Sequence, residues 1–334
     1  MDQTYSETYT PPLILKVDGL VKIYGTRRVV DGVSFHVNRG EIVGLLGTNG
    51  AGKTTSFRMT CGMIEANSGV VFLNGKDVTS WPMYRRSKEG GMGYLAQDPS
   101  VFSHLSVQDN LLGVMELLGV DRRTRQAKCD ELLEKFKLTH IRKNMAGSGG
   151  SGGLSGGERR RLEIARALVS NPKIILLDEP FAAIDPITVA SVQEIVKQLA
   201  EEGIAILITD HSVRETLQIT HRSYVIEAGR VLCHGTPSEV VANKAAREAY
   251  FGNSVDIPDV FTTSAPPSDD PVSQAQSAYE ERQHHKKNEH RRKHPEFTPQ
   301  EPVGINKVQE PEPEIPIRPR PQFSHKTNSG RPII

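Results

Sequence analysis

Gly47-Thr-Asn-Gly-Ala-Gly-Lys-Thr54 decides how this chain is read. Its spacing, G-x-x-x-x-G-K-[ST], is that of a loop whose backbone N–H groups wrap a phosphate. Gly47, Gly50 and Gly52 let the backbone turn tightly, with no Cβ between the amides and the anion. Lys53 is then placed to reach β- and γ-phosphates, and the Thr54 hydroxyl to reach a Mg²⁺ ion. Just before the loop, Ile42-Val-Gly-Leu-Leu46 is an apolar run of buried-strand length. Just after it, Thr55 to Cys61 continues as a helix whose N-terminal dipole favours an anion. Gly47, Thr48, Asn49, Gly50, Ala51, Gly52, Lys53, Thr54 and Thr55 are therefore the expected seat of ATP and Mg²⁺.

The 334 residues, 37% of them hydrophobic, allow one large domain or two smaller ones. A formal charge of +1 points to neither a nucleic-acid binder nor an acidic tail protein. Cys61, Cys129 and Cys233 are odd in number and scattered, which argues for a reducing compartment and no disulfide framework. No run approaches the roughly 18 apolar residues of a membrane span. Met1 to Pro12 is polar, lacks a signal-peptide core and is expected to be flexible. The expected location is the cytoplasm, with membrane attachment only through a partner.

Leu13 to Val17, Val29 to Val37, Val70 to Leu73 and Met92 to Leu95 read as strands. Tyr24-Gly25 lies between the first two, and Asn74-Gly75 is a hairpin signal after the third. Ser106 to Leu118 and Asp121 to Phe136 read as helices. The run Gly147 to Gly153 has the composition of a flexible linker. After it, Ser155 and Glu158 have capping-box spacing at the head of a helix reaching about Val169. That helix start, with its bare glycine amides, is either an ordinary cap or a second anion site.

Lys173 to Leu177 is an apolar strand ending at Asp178-Glu179. Asp178 is expected to hold Mg²⁺, and Glu179 to polarise an attacking water as general base. Pro186 starts a helix with Val189, Val192, Ile195, Val196 and Leu199 on one face. Ile204 to Thr209 is a buried strand that delivers Asp210-His211, and a histidine at such a strand end is a candidate site residue. Tyr224 to Glu227 and Val231 to His234 are short strands, followed by a helical end from Ser238 to about Phe251. From Ser254 to Ile334 the composition is that of a disordered tail, with a basic, histidine-rich patch at His284 to His294 and prolines from Pro311 to Pro321.

Taken together, Gly47–Thr54, Gln97, Leu154–Glu158, Asp178-Glu179, Asp185 and His211 stand in the order found in ATP-binding cassette ATPases, and residues 13 to 252 resemble that family. The resemblance implies an α/β P-loop fold within residues 13–253. A mixed sheet core would carry an antiparallel β-subdomain and an inserted helical subdomain at about 98–170. It implies that Tyr24 stacks on adenine, that Gln97 contacts Mg²⁺ and senses the transporter, and that His211 contacts the γ-phosphate. It also implies a homodimer, coupled through the loop of Asp185, in which Leu154, Ser155, Gly156, Gly157 and Glu158 reach the other subunit's nucleotide.

A narrower resemblance lies in Glu179–Pro186, Gly157–Arg161 and Leu207–Leu217, which are similar to the ATPases of lipopolysaccharide export, the LptB family. It implies peripheral attachment at the cytoplasmic face of the inner membrane, with LptF, LptG and LptC as partners and no nucleic acid. Phe102, with Val101 and Leu105, then lines a groove that receives a helix from the membrane subunits. The alternative is that Phe102 packs inside the helical subdomain. ATPases of branched-chain amino-acid importers share the core but usually lack a Phe-Ala-x-x-Asp-Pro stretch. Two other function classes remain open: a scaffold acting through its tail, and a soluble cassette working on nucleic acid, which often carries two cassettes where this chain has one.

Overall fold

The computed structural model describes residues 11–147, 153–182 and 184–251. Strands β1 (Leu13–Tyr24) and β2 (Arg27–Asn38) pair as a long hairpin. Both outrun the expected spans. Register shifts between Val17 and Val21, with Gly19 in a left-handed conformation, keep the ladder paired where the alternation breaks. β4 (Ser68–Leu73) and the two-residue β5 (Lys76–Asp77) complete a four-stranded antiparallel sheet in the order β2-β1-β4-β5. Asn74 and Gly75 join them with φ of +50° and +75°, the left-handed pair that a tight hairpin demands.

The second sheet has six strands. It is built from β3 (Ile42–Leu46), β6 (Met92–Leu95), β7 (Ile174–Asp178), β8 (Ala205–Thr209), β9 (Arg222–Glu227) and β10 (Arg230–Gly235). Their order is β10-β9-β3-β8-β7-β6, parallel throughout except for the β9–β10 hairpin. The parallel strands are apolar in nearly every position because both faces are covered. Ile174, Leu176, Ala205 and Leu207 join a core with the antiparallel sheet and with helix α1 (Lys53–Cys61). Their neighbours Ile175, Leu177, Ile206 and Ile208 join a second core. That core is built with α3 (Val107–Leu117), α4 (Arg122–Lys135), α5 (Gly156–Leu168) and α6 (Pro186–Glu201). α3, α4, a 3-10 turn at Thr139–Ile141 and α5 form an all-helical excursion between β6 and β7. Ser106, Asp121, Ser155 and Asp185 cap the four helices with side-chain oxygens.

Helix α2 (Met83–Lys88) has no counterpart in the sequence reading. It carries the buried Arg86, whose guanidinium donates to the carbonyls of Trp81 (2.8 Å), Met59 (2.9 Å), Thr60 (2.7 Å) and Thr79 (2.8 Å). Two of those carbonyls end α1, where a cation offsets the negative end of the helix dipole. The expected single helix at Ser238 to Phe251 is broken into α8 (Pro237–Ala242), α9 (Lys244–Ala246) and a π-helical turn at Arg247–Phe251. Asn243 is extended at the break and its side chain caps α9. A short α7 (Val213–Leu217) follows β8. Among the described residues, no helix is long and apolar enough to cross a membrane. The expected flexible N-terminus (in large part), the centre of the glycine-serine run and the tail from Ser254 lie outside the described residues.

Candidate functional site

Because β3, β7 and β8 are parallel neighbours, their carboxyl ends emerge on one side of the sheet. Ligands of open α/β sheets bind there. Gly47, Asp178-Glu179 and Asp210-His211 follow those three ends.

The glycine loop is wedged in place from outside. A Cβ on Gly47 would lie 2.1 Å from the Ile226 carbonyl oxygen, and one on Gly52 would lie 2.8 Å from that of Val29. Both glycines have positive φ, so a side chain is excluded twice over. The Gly229 N–H donates to the Ala51 carbonyl at 2.8 Å, and the Asp31 N–H donates to the Gly229 carbonyl at 2.7 Å. Thr48, Asn49, Gly50 and Thr54 are exposed, while Thr55 is half-buried. Lys53 is buried, and its ammonium donates to the carbonyls of Gly47 (2.6 Å) and Thr48 (3.0 Å). Burial lowers its pKa, opposed by the carboxylates of Glu179 and Asp210. α1 opens with no side-chain cap and no acid in its first turn, so its N–H groups and dipole stay available to an anion.

The acids face this loop. Asp178 is buried at the end of β7, where burial raises its pKa, and its Oδ2 accepts the Tyr94 hydroxyl at 3.2 Å. Glu179 follows at φ +47°, a conformation that costs a non-glycine residue on the order of 1–3 kcal/mol. The surroundings hold it there. Its N–H donates to the Thr209 carbonyl (2.7 Å), and its own carbonyl accepts from Ala182 N (3.2 Å) and Arg160 Nη2 (3.3 Å). The Glu179 carboxylate accepts from Gln97 Nε2 at 2.8 Å, and His211 Nδ1 lies 3.3 Å from the same oxygen. Gln97, Glu179 and His211, far apart in sequence, thus converge on one point.

Three residues of this site escaped the sequence reading, and a fourth was seen without its partners. Tyr94 fixes Asp178. Arg160 and Glu163 form a buried pair at 3.0 Å; Arg160 also donates to the Ala96 carbonyl (3.0 Å), and Glu163 accepts Ser100 N–H (2.8 Å). An i,i+3 charge pair on a helix ordinarily reads as a solvated face. Asp210 was visible beside His211, but its partners were not. It is wholly buried, accepting Phe181 N–H at 3.0 Å and Ser212 N–H at 2.8 Å.

At the other helix start, Leu154 and Gly157 are buried while Ser155 and Gly156 are exposed. The capping box is closed. Glu158 N–H donates to Ser155 Oγ (3.3 Å), while Glu158 Oε2 accepts from Ser155 N (2.8 Å) and Oγ (2.7 Å). A Cβ on Gly157 would meet Thr188 Oγ1 at 3.0 Å, and that hydroxyl donates to Asp185 Oδ2 at 2.6 Å. Asp185 therefore sits beside this helix start in the same chain. Tyr24 ends β1 and is 51% exposed, with the Lys22 ammonium 5.3 Å from its ring centroid. Phe102 is 43% exposed, so it is not core; the Arg166 guanidinium lies 4.5 Å from its ring centroid, and Leu105 and Met145 are exposed near it in the chain fold.

The family model for ABC transporters matches residues 30–182. A model for branched-chain amino acid ATP-binding cassette transporters matches residues 230–256. An uncharacterized ABC transporter ATP-binding protein of Rhizobium meliloti is 51% identical over 239 residues, 72% of this chain and 86% of that protein. The lipopolysaccharide export system ATP-binding protein LptB of Haemophilus influenzae is 46% identical over 240 residues, 72% of this chain and 97% of that one. Among solved structures, the ADP conformation of an ATP-binding cassette of an ABC transporter superposes with a TM-score of 0.63 at 29% identity. The match covers 72% of this chain and 99% of that one.

Proposed function

This chain belongs to the ATP-binding cassette family of transporter ATPases, and from that premise we propose that it powers a lipopolysaccharide exporter. The carrying observation for hydrolysis is the convergence of Gln97, Glu179 and His211 opposite the Lys53 loop. For the cargo it is the 46% identity that spans nearly the whole of LptB.

The loop amides and Lys53 bind the phosphates, and Tyr24 stacks on the adenine. Thr54, Gln97 and Asp178 offer hydroxyl, amide and carboxylate oxygens, a hard donor set that suits Mg²⁺. When bound, that ion neutralises phosphate charge. Glu179 takes the proton of the water that attacks the γ-phosphorus, and His211 donates to the γ-phosphate. Gln97 donates to an oxygen of Glu179 and leads into the segment carrying Phe102, so one stretch of chain joins the base to the partner groove. The active form is a homodimer. Leu154 to Glu158 of one subunit close over the nucleotide of the other, and Asp185 couples the two sites. Membrane subunits of the LptF and LptG kind, with LptC, dock at Phe102 and hold the chain at the cytoplasmic face of the inner membrane.

The second reading, a branched-chain amino-acid importer, draws on the match at residues 230–256. Purification of the tagged chain with its membrane subunits, followed by ATPase assay in proteoliposomes, separates the two. Stimulation by lipopolysaccharide supports export; stimulation only by a branched-chain amino acid with its binding protein overturns it.

A further inference from the structure

Two loops carry the catalytic pair, and one buried carboxylate is bonded to both. β7 and β8 run in parallel register with Asp178 opposite Thr209. Beyond the sheet the pairing continues with Glu179 N–H to the Thr209 carbonyl at 2.7 Å. The next link is made by a side chain: Phe181 N–H donates to Asp210 Oδ2 at 3.0 Å. The other oxygen, Oδ1, accepts Ser212 N–H at 2.8 Å and closes a tight turn around His211. Phe181 lies two residues after Glu179, and Ser212 one residue after His211. The carboxylate thus pins each loop just past its functional side chain, while the His211 ring stands 3.3 Å from Glu179.

Burying a carboxylate is costly unless hydrogen bonds satisfy it, and an N–H from each loop does so here. Asp210 has no exposed surface. Glu179 sits in a left-handed conformation that relaxes unless its turn is held from outside. Arg160 holds the Glu179 carbonyl, and Asp210 holds the far side of that turn.

We propose that Asp210 is a positioning residue for hydrolysis, which sets the Glu179–His211 geometry by clamping both loops through its two carboxylate oxygens. The inference rests on Glu179 being the general base. It assigns Asp210 no contact with ATP and no proton transfer.

Asp210→Asn tests it. The amide has nearly the same volume, but its NH₂ faces one of the two backbone N–H donors and cannot accept from it. Turnover should fall about 10²-fold, the scale of an ångström-level misplacement, while ADP and ATP affinities stay within about twofold. Asp210→Glu keeps the charge but is too long to close the turn, and should not restore turnover. A purely structural role would lower melting temperature, affinity and turnover together, and would overturn the proposal, as would wild-type turnover of Asp210→Asn. Should neither variant fold, hydrogen exchange on the wild-type chain decides: the Phe181 and Ser212 amides should be protected, and fast exchange of both overturns the clamp. Glu179→Gln is assayed in parallel. Normal hydrolysis by Glu179→Gln removes the base assignment itself, whereas its failure beside an active Asp210→Asn removes only the clamp.

Discussion

Two glycine-rich loops open two helices in this molecule, and they are built in opposite ways. At α1 the loop is locked by its surroundings: Gly47 against Ile226, Gly52 against Val29, and Ala51 bonded to Gly229. The helix there has no cap of its own. At α5 the helix supplies its own cap through Ser155 and Glu158, and nothing lies within 4 Å of a Cβ built on Gly156. The first loop is finished within one chain: tertiary packing holds it, and α1 begins with no side-chain cap over its first N–H groups. The second is locally satisfied, with Ser155 and Gly156 exposed, as the proposed site completed by another subunit requires. In the proposed dimer, preorganisation on one side and exposure on the other would let ATP bind first and close the dimer second.

The largest expected effect lies on the finished side. Glu179→Gln should retain ATP binding, lower turnover by on the order of 10²–10⁴-fold, and accumulate an ATP-bound dimer. Near-normal steady-state hydrolysis would remove Glu179 as the base.

A matched pair of methyl groups tests the contrast itself. Gly47→Ala forces a Cβ into a carbonyl and should abolish nucleotide binding, with a loss of about 1–3 kcal/mol in stability. Gly156→Ala meets open space and should leave the melting temperature and single-chain ATP affinity unchanged, yet slow hydrolysis in the dimer. Equal damage from both, in calorimetry and binding assays, would erase the distinction.

Mixing Lys53→Ala chains with Ser155→Arg chains sharpens it further. In the heterodimer both defects fall in one composite site, so ATPase activity should partly recover relative to either variant alone. Subunit exchange without recovery means either that the site is not shared or that both sites must fire.

At Phe102 the expected loss of stability is small. Being half exposed, Phe102→Ala should cost about 1 kcal/mol, including its cation–π contact with Arg166, rather than the roughly 3–5 kcal/mol of a core phenylalanine. Capture of the membrane subunits should nevertheless fail. A large fall in melting temperature with the partner still bound would place Phe102 in the helical core instead.

Much of this was legible before any coordinates. The loop Gly47–Thr54, the strand Met92–Leu95, the helix starts at Ser106 and Asp121, the cap Ser155, and Pro186 at a helix start all rest on local chemistry, and each lies where its spacing puts it. Legibility failed where a residue's role depends on a distant carbonyl or amide. Nothing local in Tyr84-Arg-Arg-Ser-Lys88 sets Arg86 apart, yet it is buried on four backbone carbonyls. Strand ends at β1 and β2 failed for a related reason, since bulges are set by the partner strand as much as by the strand itself.

The sequence by itself determined most of the secondary elements, the phosphate loop and the identity of the acids, because hydrophobic period, caps and glycine spacing act over a few residues. Only the tertiary structure decided that Glu179 takes a left-handed turn, that Gln97 and His211 share its carboxylate, and that Asp210 is buried between their loops. Those facts follow from strand order. β3, β8 and β7 lie side by side although the chain visits β4, β5, β6 and helices α1 to α5 between β3 and β7, and α6 between β7 and β8. No local pattern encodes which strand ends become neighbours; that is settled when two cores close on the two faces of one sheet.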